Sequence, residues 1–190
     1  MEFLQTELAG LVVCNPKVYY DERGYFSEVF KKEELEKFLG FEVSFDQDNE
    51  SKSTFGVVRG LHYQKGIWSQ SKLIRVIQGE ILDVVVDMRK SSETFGHTFS
   101  ILLNDENKTQ LFVPKGFAHG YAVLSEVAIV SYKVDAKYAP ESEAGVSYLD
   151  KTLNIDWKLK NEDIIVSEKD LVLPEFNQAV CFEEELKFYE

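Results

Sequence analysis

The sequence predicts a mainly β protein, a sandwich or barrel of short strands with a minor helical part. Three observations carry that expectation. Short runs rich in β-branched and aromatic residues recur along the chain, separated by Gly, Pro, Asn and Asp turn signals. One run, Glu80 to Arg89, alternates cleanly, with Leu82, Val84, Val86 and Met88 on one face and Asp83 and Asp87 on the other. Only Lys31 to Leu39 shows clear helical spacing, through Leu35, Phe38 and Leu39, with Gly40 as its stop. At 190 residues, 44% of them apolar, the chain is most simply one domain over 1–190, long enough to bury a substantial core. No internal repeat, low-complexity tract or linker divides it.

In chain order, Leu11 to Val13 and Lys17 to Tyr20 read as strands interrupted by Asn15-Pro16. Asp21 to Gly24 supplies turn residues, and Tyr25 to Phe30 resumes extended character. After the helix, Val43 to Ser53 is polar and extended. Val57 to Gln64 is a strand, and Lys72 to Gln78 joins Glu80 to Arg89 at Gly79. Further strands fall at Thr98 to Leu103, Gln110 to Val113, Gly120 to Leu124 and Val127 to Val134. Asn104 to Asn107 and Pro114-Lys115-Gly116 are turns between them. Tyr138 to Gly145 reads as a loop and Val146 to Leu149 as a short extended piece. Trp157 packs, Asp163 to Leu171 turns through a short helix, and an acidic tail follows Pro174.

Charge and composition exclude some functions. A formal net charge of -12 and a pI near 4.8 argue against general nucleic-acid binding, which needs a broad basic surface. They leave room for one small phosphorylated ligand held by a local cationic cluster. Cys14 and Cys181 form no metal spacing, and two free thiols in a reducing compartment is the simpler reading than a single disulfide. The N-terminus lacks the pattern of a signal peptide, and no apolar run approaches the ~20 residues of a membrane span. A soluble, intracellular protein is the expectation.

The stretch VVRGLHYQKGIWSQSK, Val57 to Lys72, gathers an arginine, a histidine and a lysine in a chain with only three histidines. In a regular strand His62 shares a face with Val58, Gly60 and Gln64, while Arg59 points the other way. A bulge at Gly60 brings Arg59 and His62 onto one surface. A hydrogen-bonded core histidine is the competing account. The spacing does not favour a metal: Tyr63 and Gln64 follow His62, so a His-x-His pair is missing. His62 with the later His119 makes a poor ligand set, and His97 sits in a turn. His62 is then free for acid–base work once a carboxylate orients it, and Asp83, Asp87 and Asp170 are all formally available. Asp83 and Asp87 also read as solvated strand residues. Tyr132 shares a face with Ala128, Val130 and Val134. It is either a proton-donating phenol inside a barrel or a core tyrosine. Lys72 has the parity of Ile74 and Val76, so it either meets an anion inside or covers the surface.

Several segments carry a further signal: DERGYFSEVF (Asp21 to Phe30), FDQDNESKS (Phe45 to Ser53), GVVRGLHYQ (Gly56 to Gln64) and SKLIRVIQGEILDVVVDMR (Ser71 to Arg89). PKGFAHGYAVLSE (Pro114 to Glu126), YKVDAKYAPESEAGV (Tyr132 to Val146) and SEKD (Ser167 to Asp170) follow in order. With these motifs the chain resembles the dTDP-4-dehydrorhamnose 3,5-epimerase family, a metal-free branch of the cupins, from roughly Asn15 to Pro174. The resemblance implies a cupin-like jelly-roll barrel with a few short helices. It also implies a homodimer whose N-terminal strands pack on the partner subunit, and no cofactor. It implies a dTDP-linked keto-deoxy-sugar substrate, inverted at two carbons. By the same resemblance His62 is the general base, paired with Asp170; Tyr132 is the proton donor; and Lys72 lies beside the keto oxygen. Contacts to the nucleotide and diphosphate map to Arg23, Phe26, Glu28, Gln47, Asp48, Asn49 and Arg59. His119, Tyr138, Glu143 and Lys169 complete the pocket, with Tyr138 stacking on thymine. Where the family commonly has tryptophan this chain has Tyr148, which alters packing and removes no catalytic role.

Overall fold

The computed structural model describes residues 1–183. Its strands are β1 (Glu2–Gln5), β2 (Val12–Asn15), β3 (Val18–Asp21), β4 (Gly24–Ser27), β5 (Gln47–Thr54), β6 (Val58–Gln64) and β7 (Lys72–Gln78). They continue as β8 (Glu80–Asp87), β9 (Thr98–Asn104), β10 (Gln110–Val113), β11 (Phe117–Val123), β12 (Val127–Val134) and β13 (Glu143–Gly145). Helices α1 (Lys32–Leu39) and α2 (Glu168–Leu171) accompany them. A six-stranded sheet, β1-β2-β10-β7-β12-β5, faces a five-stranded sheet, β13-β6-β11-β8-β9, and all the pairings are antiparallel. The two sheets form a cupin-like jelly roll that is not closed into a continuous barrel. Strands β3 and β4 make a separate hairpin outside both sheets.

Burial explains the layering. Leu11, Ile74, Val85, Leu111, Phe117 and Val130 meet between the sheets. The outer face of the six-stranded sheet is sealed by α1, which sets Leu35 and Phe38 against Val12, Leu73 and Phe112. Burying Leu35, 2% exposed, contributes about 2 kcal/mol. Glu33 and Glu34 in the first turn complement the positive end of the helix. Gly40, at φ +81°, ends it by donating its N–H to the Glu36 carbonyl. The expected helix is present, and β1, a strand the sequence reading did not assign, pairs with β2 at the sheet edge.

The outer face of the five-stranded sheet carries the apolar stripe of β8, Leu82, Val84 and Val86, together with Met88 just beyond it. The segment from Tyr148 to Phe182 covers it, through Trp157, Phe176 and Phe182. The expected alternation is therefore real, but both faces are buried. Asp83 and Asp87, open to a solvated reading from sequence, are each 0% exposed and point inward from the stripe. Asp87 is held by Arg89, Ser92 and Thr94. Tyr148 sits in the outer layer, where its carbonyl accepts the Trp157 indole N–H at 2.8 Å. The acidic tail begins as part of this cover, with Tyr63 Oη donating to the Val180 carbonyl and Phe182 pairing with Met88 and Lys90. Its end, 184–190, lies outside the described residues. Val146 to Leu149 is not a strand; β13 lies just before it, inside the segment read as a loop.

Candidate active site

The site is organised by an irregularity in β6. Opposite β11, His62 pairs with His119 and Arg59 with Tyr121, so Gly60 and Leu61 together face the single residue Gly120. This is a bulge, and the Gly60–Leu61 peptide is cis. Gly60 has φ +108°, and a Cβ there would lie 2.7 Å from the Gly120 Cα and from the His119 carbonyl oxygen. The extra residue resets the parity of the strand. Val58, Leu61 and Tyr63 face the outer core, while Arg59 and His62 face the interior.

Two adjoining cavities, of about 490 and 330 Å³, lie between the sheets and share His62, Lys72 and Tyr132. His62 Nε2 is 2.6 Å from Oδ1 of Asp170. Asp170 is 3% exposed, on a short helix capped by Ser167, whose hydroxyl accepts the Asp170 N–H. Burial opposes charge on this carboxyl, but the hydrogen bond from His62 holds it below the usual carboxylate range. Of the three aspartates available from sequence, it is the distant Asp170 that orients His62. Asp83 instead takes His119 Nε2 at 2.9 and 3.1 Å, and Asp87 is committed to Arg89.

Tyr132 comes from β12 in the opposite sheet and packs against the inter-sheet core. Its phenol is raised above its ordinary range by burial, then by Tyr121, against the charge of Arg59. Lys72 opens β7 on the same inner face as Ile74 and Val76, and its Nζ lies 3.4 Å from the His62 carbonyl oxygen. Burial pushes its ammonium down to about 8, against the opposing charges of Asp83 and Glu143. Both inward readings from sequence describe the structure.

Arg59 donates Nε–H to the Ser53 hydroxyl at 3.0 Å and lines the larger cavity with His119 and Lys169. Gln47 and Asn49 of β5 line the smaller one with Tyr138 and Glu143. At its rim Tyr138 donates to Glu143, which also pairs with Lys169. Burial works against the Glu143 charge, but these two partners hold its carboxyl low. Four mapped residues are not brought to these two cavities. Asp48 turns to the outer face of β5 and accepts from Lys133 Nζ at 2.8 Å, because alternation puts it opposite Gln47 and Asn49. Arg23, Phe26 and Glu28 belong to the β3–β4 hairpin region, where Arg23 is paired with Asp21 and its side chain is 89% exposed. Sequence reasoning missed Ser51, Tyr121, Gln64, Gln70 and the stretch Ile165 to Ser167 as lining. The parity of β5 would have found Ser51, two residues from Asn49.

Among the described residues, no three His, Cys, Asp or Glu side chains are grouped to hold a metal ion. With Nε2–H given to Asp170, Nδ1 of His62 carries the lone pair and is the basic nitrogen. An imidazole on one wall, and a phenol and an ammonium on the other, suit removal of a proton beside a carbonyl and its return from the far side. The fold is cupin-like, and the site holds the groups that acid–base chemistry needs.

The chain belongs to the dTDP-4-dehydrorhamnose 3,5-epimerase family, whose model matches residues 5–178. A protein of that name from Methanothermobacter thermautotrophicus is 49% identical over 169 residues, covering 88% of this chain and 90% of its own. The Shigella flexneri protein of the same name is 45% identical over 182 residues, covering 96% and 99%. The crystal structure of the dTDP-6-deoxy-D-glucose-3,5-epimerase of Legionella pneumophila, in complex with dTDP-4-keto-L-rhamnose, matches with a TM-score of 0.92. It is 43% identical and covers 97% of this chain and 98% of its own.

Proposed function

We propose that this chain inverts carbons 3 and 5 of dTDP-4-dehydro-6-deoxy-D-glucose to give dTDP-4-dehydro-β-L-rhamnose, a step of dTDP-L-rhamnose biosynthesis. The observation that carries the reading is the placement of the His62–Asp170 pair and Tyr132 on opposite walls of one cavity. The hydrogens on both carbons beside the ketone are acidic, because their loss leaves an enolate with its charge largely on oxygen. At each centre in turn His62 Nδ1 takes the proton, Lys72 stabilises the oxyanion, and Tyr132 delivers a proton to the other face; exchange with water then frees His62 and reprotonates Tyr132 before the second inversion. One such oxyanion donor contributes on the order of 3 kcal/mol. Arg59 grips the diphosphate in forked geometry, and Tyr138 stacks on the thymine. The chemistry of the steps needs no redox partner.

The functional unit of this reading is a homodimer. Arg23, Phe26 and Glu28 stand outside their own cavity, on a hairpin whose Tyr20 and Phe26 are 72% and 65% exposed. Inserted into the partner's cavity, the hairpin places Arg23 beside the diphosphate. The enzyme works in the cytoplasm, in keeping with its two free cysteines and its nucleotide-sugar substrate. Incubation of the purified protein with the keto-sugar, followed by proton NMR, tests the activity. Changed ring couplings at both carbons support it, and an unchanged substrate spectrum refutes it.

A further inference from the structure

Gln64 is 4% exposed and lines the smaller cavity, two residues beyond His62 on β6. The bonds of its carboxamide all go to backbone. Nε2 donates to the Trp68 carbonyl at 2.6 Å and to the Lys137 carbonyl at 3.0 Å, and Oε1 accepts the Ala139 N–H at 2.7 Å. Only one orientation of the amide satisfies these partners, because two of them accept and one donates. Lys137 and Ala139 flank Tyr138 in the chain. One buried side chain therefore holds the main chain on either side of Tyr138.

Tyr138 depends on such support. Residues 137–139 have no regular secondary structure, so their backbone groups find no partners in a helix or a ladder. Tyr138 is 55% exposed and belongs to none of the three apolar clusters. Its hydroxyl donates to Glu143 at 2.7 Å, which ties the tip of the ring but not its root. On either side of the bracket, Gln70 Nε2 donates to the Ala136 carbonyl at 2.7 Å, and Pro140 keeps Ala139 extended.

We infer that Gln64 is a positioning residue for nucleotide binding: by clamping the Lys137 carbonyl and the Ala139 N–H, it sets the place of the Tyr138 ring as a stacking platform. The inference rests on the role given to Tyr138 under the proposed function. A platform free to swing must be ordered each time a base docks, which lowers affinity; Gln64 orders it beforehand. Because Gln64 and His62 share β6, the clamp also ties the platform to the strand that carries the base.

The test is a double-mutant cycle on dTDP affinity, read by calorimetric titration of wild type, Gln64→Met, Tyr138→Ala and the double variant. Gln64→Met keeps the length of the side chain and removes the amide. It weakens dTDP by roughly 10-fold, and Tyr138→Ala does so by a similar factor through the lost stacking contact. The double variant stays within about two-fold of Tyr138→Ala, because the clamp has no ring left to position. A Gln64 that only supported the fold would weaken dTDP whether or not the Tyr138 ring was present. If Gln64→Met does not fold, Gln64→Glu, which keeps an oxygen for the Ala139 N–H, takes its place in the cycle. Additive losses overturn the inference, and so does a Gln64 variant that binds dTDP within about two-fold of wild type. A wild-type protein that binds no dTDP refutes the proposed function instead, which separates the two failures.

Discussion

His62 on β6 and Tyr132 on β12 line the same cavity from opposite sheets. Neither can serve both faces of a sugar ring lying between them. Tyr132→Phe should therefore lose inversion by roughly 10²-fold or more while keeping proton exchange. In deuterated water the variant takes up label with retained configuration, because His62 returns a deuteron to the face it deprotonated. Mass spectrometry and NMR on recovered substrate check this. Inversion at the wild-type rate would remove Tyr132 from the mechanism.

The 2.6 Å contact between His62 and Asp170 fixes the tautomer of the base. Asp170→Asn preserves shape and removes the charge that holds the imidazole, so kcat should fall by roughly 10²–10⁴-fold with dTDP affinity unchanged. The pair has a second consequence. The folded carboxyl is held below its unfolded range, so its contribution to stability is present above the unfolded pKa and fades as pH falls through the folded one. Wild type should lose melting temperature in acid more steeply than Asp170→Asn.

With Lys72 lowered to about 8 by burial, the proposed mechanism expects it to set the basic side of the kcat/KM profile of the wild type. Activity should decline as pH rises through that value, because the required form is the ammonium. Lys72→Met, of similar length and without charge, should lose roughly 10²–10³-fold in kcat. Its residual activity should show no basic limb near 8.

Gly60 is required by the bulge. An added Cβ meets the Gly120 Cα at 2.7 Å, and the backbone at φ +108° disfavours any side chain. Gly60→Ala should cost about 2–5 kcal/mol, read from the urea midpoint. Any folded fraction should bind dTDP weakly, since Arg59 and His62 share the cavity only through this bulge.

The hairpin account is testable by complementation. Arg23→Ala should raise KM by roughly 10–100-fold, the loss of charge-assisted hydrogen bonds. Mixed dimers of Arg23→Ala with His62→Asn contain one site with both residues intact. At sub-saturating substrate the mixture should recover roughly a quarter of wild-type activity. No recovery from a confirmed mixed dimer would mean that each cavity is served by its own chain alone.

Much of this was legible in the sequence, for identifiable reasons. Period-two patterning gave Lys72 and Tyr132 an inward reading beside a bland one, and the glycine inside the strand offered the bulge that joins Arg59 to His62. Alternation alone misled at β8: a clean apolar face suggested a solvated opposite face, but the five-stranded sheet is covered on one side and faces the other sheet with its second side. Asp83 is thereby buried. The partner of His62 could not be read from spacing, because 108 residues separate it from Asp170. Motif mapping placed Asp48 with Gln47 and Asn49, whereas the pleat turns it to the opposite face. β1 was missed because four residues, Glu2 to Gln5, carry too little pattern to stand out.

The central claim is that a single base, His62, deprotonates both carbons flanking the ketone. Wild type and His62→Asn are each incubated with the keto-sugar in deuterated water, and the label is located by NMR. Wild type should carry one deuteron at carbon 3 and one at carbon 5, both centres inverted, and His62→Asn should carry none. Label at only one carbon in the wild type, or label persisting at either carbon in His62→Asn, would contradict it.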